Sequence, residues 1–270
     1  MGIHSPDPYQ CHVVAVMLCQ IRVIRFRLQP DPIYRLFGDR LYDFAVFDGM
    51  GGAAYGEIAS EIAVQTMKKY ERRLKNAEGM RAVDQIVTEF VTEANNSICD
   101  MLREKNCLSG GTTFAMLYFI DGLAKLYYLG DSRIYMQDEE DLICLTRDHT
   151  LANQKLDAGI YTEAQAKKSA DQHRLTLYVG VDKNGLGLNA DSRPPVALQP
   201  GRKFLLCTDG LVDMCSEQEI QDILSQDYFN EAAVLVQTAV NYGGIDNVTC
   251  IVLEVIPIEE PAELESDPML

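Results

Sequence analysis

The chain has 270 residues, 47% apolar and 24% charged, which is enough apolar material for one large α/β domain with a real core. Its formal net charge of −16, from 40 acidic against 24 basic residues, speaks against a nucleic-acid partner, because phosphate backbones are gripped by clustered Lys and Arg. No apolar stretch approaches the roughly 20 residues that cross a bilayer, and the short run at 13–19 lacks the basic leader and small-residue cleavage pattern of a signal peptide.

Along the chain, residues 43–47 read as the first clear strand. Two amphipathic helices follow. Residues 56–74 carry Ile58, Ile62, Ala63, Met67 and Tyr70 as an apolar stripe, and 82–102 carry Val83, Ile86, Phe90, Val91, Ala94, Ile98 and Leu102. Strands are expected at 113–120 and 123–129, joined by the hairpin turn Asp121-Gly122, and again at 133–137. Helices are expected at 150–158 and 162–169, then a strand at 203–207, helices at 217–226 and 231–243, and a last strand at 248–255. Thr162 with Gln165 and Ser216 with Glu219 have the spacing of capping boxes. Frequent hairpins beside a pair of helices favour a layered α+β fold over a parallel βαβ sheet. Residues 1–257 are expected to form one domain, and 258–270, rich in Glu, Asp and Pro, a disordered acidic tail. None of the eight cysteines forms a C-x-x-C pair, and they read as small buried hydrophobes of a reducing, cytoplasmic setting.

Four aspartates stand where a strand stops. They are Asp48 in Phe47-Asp48-Gly49, Asp131 in Gly130-Asp131-Ser132, Asp209 in Thr208-Asp209-Gly210, and Asp246 in Ile245-Asp246-Asn247. Each alone is an ordinary turn signal. Carried by adjacent strands to one place, such carboxylates repel one another unless a hard cation lies between them. An all-oxygen donor set selects Mg²⁺ or Mn²⁺ over Zn²⁺, which prefers nitrogen and sulfur. A Ca²⁺ loop of the Asp-x-Asp-x-Asp-Gly kind is absent from the sequence, and the glycines at 49–52 are not followed by the Lys-Ser/Thr of a nucleotide loop.

Six motifs in order resemble the PPM (type 2C) protein phosphatases in their bacterial form. They are Asp48-Gly49-Met50-Gly51-Gly52 with Gly56-Glu57, Gly111-Thr112-Thr113, Gly130-Asp131-Ser132-Arg133, Thr146-Arg147-Asp148-His149-Thr150, Thr208-Asp209-Gly210-Leu211 and Asp246-Asn247-Val248-Thr249, spread over about residues 31 to 255. The resemblance implies a four-layer α-β-β-α sandwich with two central antiparallel sheets. It implies hydrolysis of phosphoserine and phosphothreonine esters by a water activated between two, or in bacterial members three, Mn²⁺ or Mg²⁺ ions. By the same resemblance Asp48 bridges two ions, Gly49 lends a backbone carbonyl, Asp209 and Asp246 complete the first ion's ligands, Asp131 shares a third ion with Asp209, and Asp31 supports the second. The expected partners are phosphorylated proteins, the products of a serine/threonine kinase, with no nucleic acid or membrane, and a monomer is the family's default.

Two departures from the family pattern stand out. Gln29 and Pro30 replace the usual Asn and Glu before Asp31, and the phosphate-binding arginine is either Arg25 or Arg27. Met50 replaces a histidine of many eukaryotic members, so a leaving group would be protonated by metal-bound water or by another residue, with His149 and His173 the mid-chain candidates, both also readable as structural. His173 lies in 169–174, a stretch resembling the family's mobile flap. The altered stretch 14–30 motivates an alternative, a catalytically weak or inactive binding module. The four retained aspartates argue against it.

Overall fold

The computed structural model describes residues 13–16, 22–28, 42–50, 53–107, 109–139, 141–181, 187–226, 228 and 230–255, with the backbone alone for 13–16, 22–28, 42, 53 and 54. Strands β1 (Val13–Val16), β2 (Arg22–Leu28), β3 (Tyr42–Phe47) and β4 (Gly49–Met50) precede two long helices, α1 (Ala53–Lys75) and α2 (Met80–Glu104). Next come β5 (Gly111–Thr112), β6 (Phe114–Ile120), β7 (Leu123–Leu129), β8 (Arg133–Asp138) and β9 (Asp141–Cys144). Helices α3 (Leu151–Asp157) and α4 (Glu163–Ala166) and the 3-10 turn Ala170–His173 lead to β10 (Asp191–Ser192), β11 (Val196–Ala197) and β12 (Lys203–Cys207). Then α5 (Asp209–Val212), α6 (Glu217–Ser225), α7 (Glu231–Asn241) and β13 (Thr249–Val255) close the described chain.

Among the described residues one sheet has the order β1-β3-β6-β7-β10, with β11 also on β7, and a second has the order β2-β13-β12-β8-β9. The β6–β7 hairpin turns at Asp121 (φ 50°) and Gly122 (φ 73°), the two left-handed residues that a tight hairpin turn requires. Three buried apolar clusters separate the layers. Ala59, Ala63, Met67, Val83, Phe90 and Ile98 of α1 and α2 pack on Phe47, Phe114 and Met116 of the first sheet. Phe44, Leu117, Phe119 and Leu126 face Ile134, Phe204, Leu206, Ile251 and Leu253 between the sheets. Leu205, Cys207, Cys250 and Val252 face α5, α6 and α7 through Leu211, Ile220, Leu224, Leu235 and Val236. Alternate residues of β12 and β13 therefore serve opposite cores, as the period of two requires.

The mixed α+β architecture and its antiparallel pairings agree with the sequence reading, and both capping boxes form. Three details differ. The edge strands β1 and β2 pair in parallel, with β3 and β13 respectively, so neither sheet is purely antiparallel. Helix α1 starts at Ala53 instead of 56, and Ile58 points outward while Ala59 takes the buried position. The helix expected over 162–169 ends at Ala166, and the chain tightens into the 3-10 turn. Cys99, Cys207, Cys215 and Cys250 are buried as expected, whereas Cys144 on edge strand β9 is exposed. No helix among the described residues is long and apolar enough to cross a membrane. Asp31, Gly51, Gly52 and the tail 258–270 lie outside the described residues.

Candidate metal centre

Both sheets deliver aspartates to one end of the molecule. Asp48 follows β3, and Asp131 follows β7, which runs antiparallel to β6 beside it. Asp209 follows β12, and Asp246 lies three residues before β13, its antiparallel neighbour. Hydrogen bonds fix each turn. The Asp48 N–H donates to Thr113 Oγ1 at 2.9 Å while the Thr113 N–H returns to the Asp48 carbonyl at 2.8 Å. The hydroxyls of Thr113 and Ser132 meet at 2.7 Å, tying the Asp48 turn to the residue after Asp131. On the second sheet the Thr208 N–H donates to the Thr249 carbonyl and the Thr249 N–H donates to Thr208 Oγ1, both at 3.1 Å.

Two glycines make the approach possible. A Cβ on Gly49 would stand 2.1 Å from the carbonyl oxygen of Gly56, so α1 packs directly on the backbone that follows Asp48. A Cβ on Gly210 would stand 2.1 Å from the carbonyl oxygen of Asn247, so the Asp209 and Asp246 turns touch backbone to backbone. The glycine of each Asp-Gly pair thus serves close packing of the site.

The electrostatics follow from crowding. Burial and then the Asp209 charge and hydrogen bond push the Asp48 carboxyl well above the ordinary carboxylate range, with Asp131 and Asp246 adding to it. Burial, followed by Asp209 and Asp148, raises Asp131 to about 8. Burial likewise raises Asp209, against the bond it shares with Asp48. The Asp48 and Asp209 carboxyls are close enough that each shifts the other's proton affinity. Asp209 Oδ1 is buried and has no hydrogen-bond partner among the described residues. Among those residues no three acidic, thiol or imidazole groups are already closed into a ligand cage. An orphaned buried carboxylate oxygen, crowded acids and oxygen-only donors are what a hard divalent cation would satisfy.

Around this cluster the structure adds Asp213, Arg133 and Asp148, to which the sequence reading gave no role, and brings in His173. Asp213, one helical turn after Asp209, has its carboxyl raised by burial. His173 Nδ1 stands 3.7 Å from Asp213 Oδ2, which brings 169–174 to the rim of the cluster. Arg133 grips Asp148 with two nitrogens, Nε at 3.0 Å and Nη2 at 2.7 Å, and also bonds the Tyr135 hydroxyl. The i, i+4 spacing of Asp209 and Asp213 was a readable signal, whereas the Arg133–Asp148 pair is purely tertiary. The backbones of Arg25 and Arg27 lie in an unbroken ladder opposite Val252 and Glu254.

Two apposed sheets bring an oxygen-only cluster of carboxyls to one end, the donor set with which a metal-dependent hydrolase would hold hard divalent cations. The chain belongs to the protein phosphatase 2C family, whose model matches residues 35–240. It is 32% identical over 220 residues to the protein phosphatase PhpP of Streptococcus pneumoniae, covering 80% of this chain and 86% of that protein. It is 29% identical over 212 residues to the serine/threonine phosphatase stp of Listeria monocytogenes, covering 77% and 82%. The solved serine/threonine phosphatase PstP of Mycobacterium tuberculosis superposes with a TM-score of 0.69 at 26% identity, over 81% of this chain and 92% of that one. A PstP catalytic domain in complex with two manganese ions superposes with a TM-score of 0.66 at 28% identity, over 81% and 91%.

Proposed function

We propose that this protein hydrolyses phosphoserine and phosphothreonine esters of proteins, using two to three Mn²⁺ or Mg²⁺ ions held by its aspartates. The observation that carries this reading is the convergence of Asp48, Asp131 and Asp209, whose carboxyls are raised by burial and mutual charge, with Asp246 beside them. The ions would be held by Asp48, the Gly49 carbonyl, Asp209 and Asp246, with Asp31 supporting the second and Asp131 and Asp209 sharing a third. Such ions act as Lewis acids that activate a water and neutralise the phosphoryl oxygens.

The protein's own residues supply position. Thr113 and Ser132 hold the Asp48 and Asp131 turns at fixed separation, and Arg25 and Arg27 are the arginines assigned to the substrate phosphate. Met50 has no proton to give. Both ring nitrogens of His149 are engaged, with the Gly130 N–H and with Asp191. His173, at the rim of the cluster beside Asp213, is the histidine assigned to the departing alkoxide, and its Nε2 also meets the Gln172 side chain at 2.8 Å. Convergence of the four acids weighs against a pure binding module, which has no use for clustered like charge. The substrates are phosphoproteins made by a serine/threonine kinase, and the protein works as a cytoplasmic monomer without nucleic acid or membrane.

The test is hydrolysis of a phosphothreonine peptide by EDTA-treated protein, before and after addition of Mn²⁺ or Mg²⁺. Activity is expected to be absent in EDTA and to return with the cation. Full turnover in EDTA would overturn the ion-dependent reading.

A further inference from the structure

Residues 150–175 leave and rejoin the body of the protein at a narrow neck. The Leu151 N–H donates to the Arg174 carbonyl at 2.9 Å, and Thr150 bridges Leu175. The Thr176 N–H and hydroxyl both donate to the His149 carbonyl, at 2.8 and 3.1 Å. Inside the neck, buried Asp171 gathers Lys155, Tyr161 and Arg174, so the segment has its own polar centre.

The His149 side chain reaches from this neck to the metal centre. Its Nδ1 accepts the Gly130 N–H at 3.1 Å, and the His149 backbone N–H donates to the Gly130 carbonyl at 2.9 Å. Because Nδ1 accepts, the ring proton is assigned to Nε2, which donates to Asp191 Oδ2 at 3.2 Å. The ring stacks on Tyr128 at 5.2 Å and 10°. Gly130 precedes Asp131 directly and holds φ +99°, where a Cβ would meet Thr113 Cγ2 at 2.7 Å. Through Thr113 the same clamp reaches the Asp48 turn.

We propose that His149 is a positioning residue that ties segment 150–175 to the Asp131 loop, so that order in the segment and cation binding at Asp131 favour one another. This rests on the reading of Asp131 as a cation ligand. Coupling of this kind is reciprocal: whatever holds the segment in place tightens the ion, and the ion holds the segment. His173 lies in that segment, so loading of the Asp131 site would also steady the rim at Asp213.

The test uses the full chain, with free Mn²⁺ followed by electron paramagnetic resonance during titration. Tryptic cleavage at the exposed Lys167 and Lys168 is followed in parallel. His149→Phe keeps a stacking ring but loses the acceptor; His149→Asn offers an acceptor near the Nδ1 position, and His149→Gln places its amide toward Asp191 instead. Wild type is expected to show a weaker Mn²⁺ site whose filling slows cleavage. In His149→Phe and His149→Gln that site should weaken by about tenfold, the worth of one net hydrogen bond. Mn²⁺ should then no longer protect the segment, although the tighter sites fill as before. His149→Asn should restore both properties, and the Asn against Gln comparison decides the matter if the Phe variant does not fold. Asp131→Asn is the control. If it leaves every Mn²⁺ site unchanged, the ligand reading of Asp131 fails and takes the coupling with it. If Asp131→Asn removes the weaker site while His149→Gln binds and protects like wild type, the coupling alone is overturned.

Discussion

Asp48 and Asp209 show why these carboxylates are costly to keep without an ion. Each is pushed toward its neutral form by burial, the two contact each other, and one oxygen of Asp209 is left without a partner. Asp48→Asn and Asp209→Asn are each expected to lower kcat by at least about a thousandfold, since losing a ligand to a catalytic cation removes several kcal/mol of charge stabilisation. In EDTA the same variants should melt no earlier than wild type, because an amide relieves repulsion that the ion-free protein endures. Retained turnover in either variant would contradict the roles given to these side chains. The glycines provide a separate test. Gly210→Ala removes no ligand, yet its Cβ would collide with the Asn247 carbonyl, which is backbone and has little room to give. It is expected to cost about 1–3 kcal/mol of stability, as overpacking does, and to depress activity by moving Asp209 against Asp246. A thermal melt and a phosphopeptide assay on this variant check both effects.

At the scale of elements, what local pattern dictates was legible and what long-range pairing dictates was not. The apolar stripe of α2 was readable because its seven named residues recur at helical spacing, and all seven are buried. Asp48, Asp131 and Asp209 were readable because Asp followed by Gly or Ser after an apolar run is a local signal, whereas Asp246, read as ending a strand, instead precedes β13 after α7. Gly56 misled the reading of α1: it lies inside the helix, and its purpose is contact with Gly49, a residue of another element. The parallel pairing of β1 and β2 left no local trace, nor did the Arg133–Asp148 pair. The register of β2 now sharpens what is expected of its arginines. The ladder runs without a bulge from Arg22 opposite Thr249 to Leu28 opposite Val255, so Arg25 and Arg27 share one face. The metal-centre end of that ladder is the Thr249 end, and Arg25 is nearer to it by two residues, about 7 Å of strand. Arg25→Ala is therefore expected to raise KM for a phosphopeptide more than Arg27→Ala, by about tenfold or more with kcat little changed, the pattern of a lost charged hydrogen bond. Unchanged KM in both variants would place the phosphate arginine elsewhere.

For the whole molecule, the ion cluster sets how stability depends on pH. Asp48, Asp131, Asp209 and Asp213 all have folded-state values above the ordinary carboxylate value, and Asp131 reaches about 8. A group raised in this way stabilises the fold fully below its unfolded value. That contribution is lost as pH rises through the folded value, because the buried group must then ionise or the chain unfold. The carboxylates shifted the other way, Glu89, Glu93, Asp171 and Glu219, titrate below the usual range and are silent above pH 5. The shifted tyrosines and cysteines move upward from 10 and 9 and are silent below pH 8. Between pH 5 and 8 the acid cluster therefore dominates these shifts, and protein in EDTA is expected to melt at progressively lower temperature across that window. Saturating Mn²⁺ should reverse the trend, because a cation binds the ionised carboxylates and its binding strengthens as they lose protons. Asp131→Asn should flatten the EDTA curve across the whole window, because the folded protein keeps the Asp131 proton up to about pH 8 while the unfolded chain has already released it. Melting curves collected at several pH values with EDTA and with Mn²⁺ decide the matter. A melting temperature in EDTA that rises from pH 5 to 8 would mean that these carboxyls are not buried together as described.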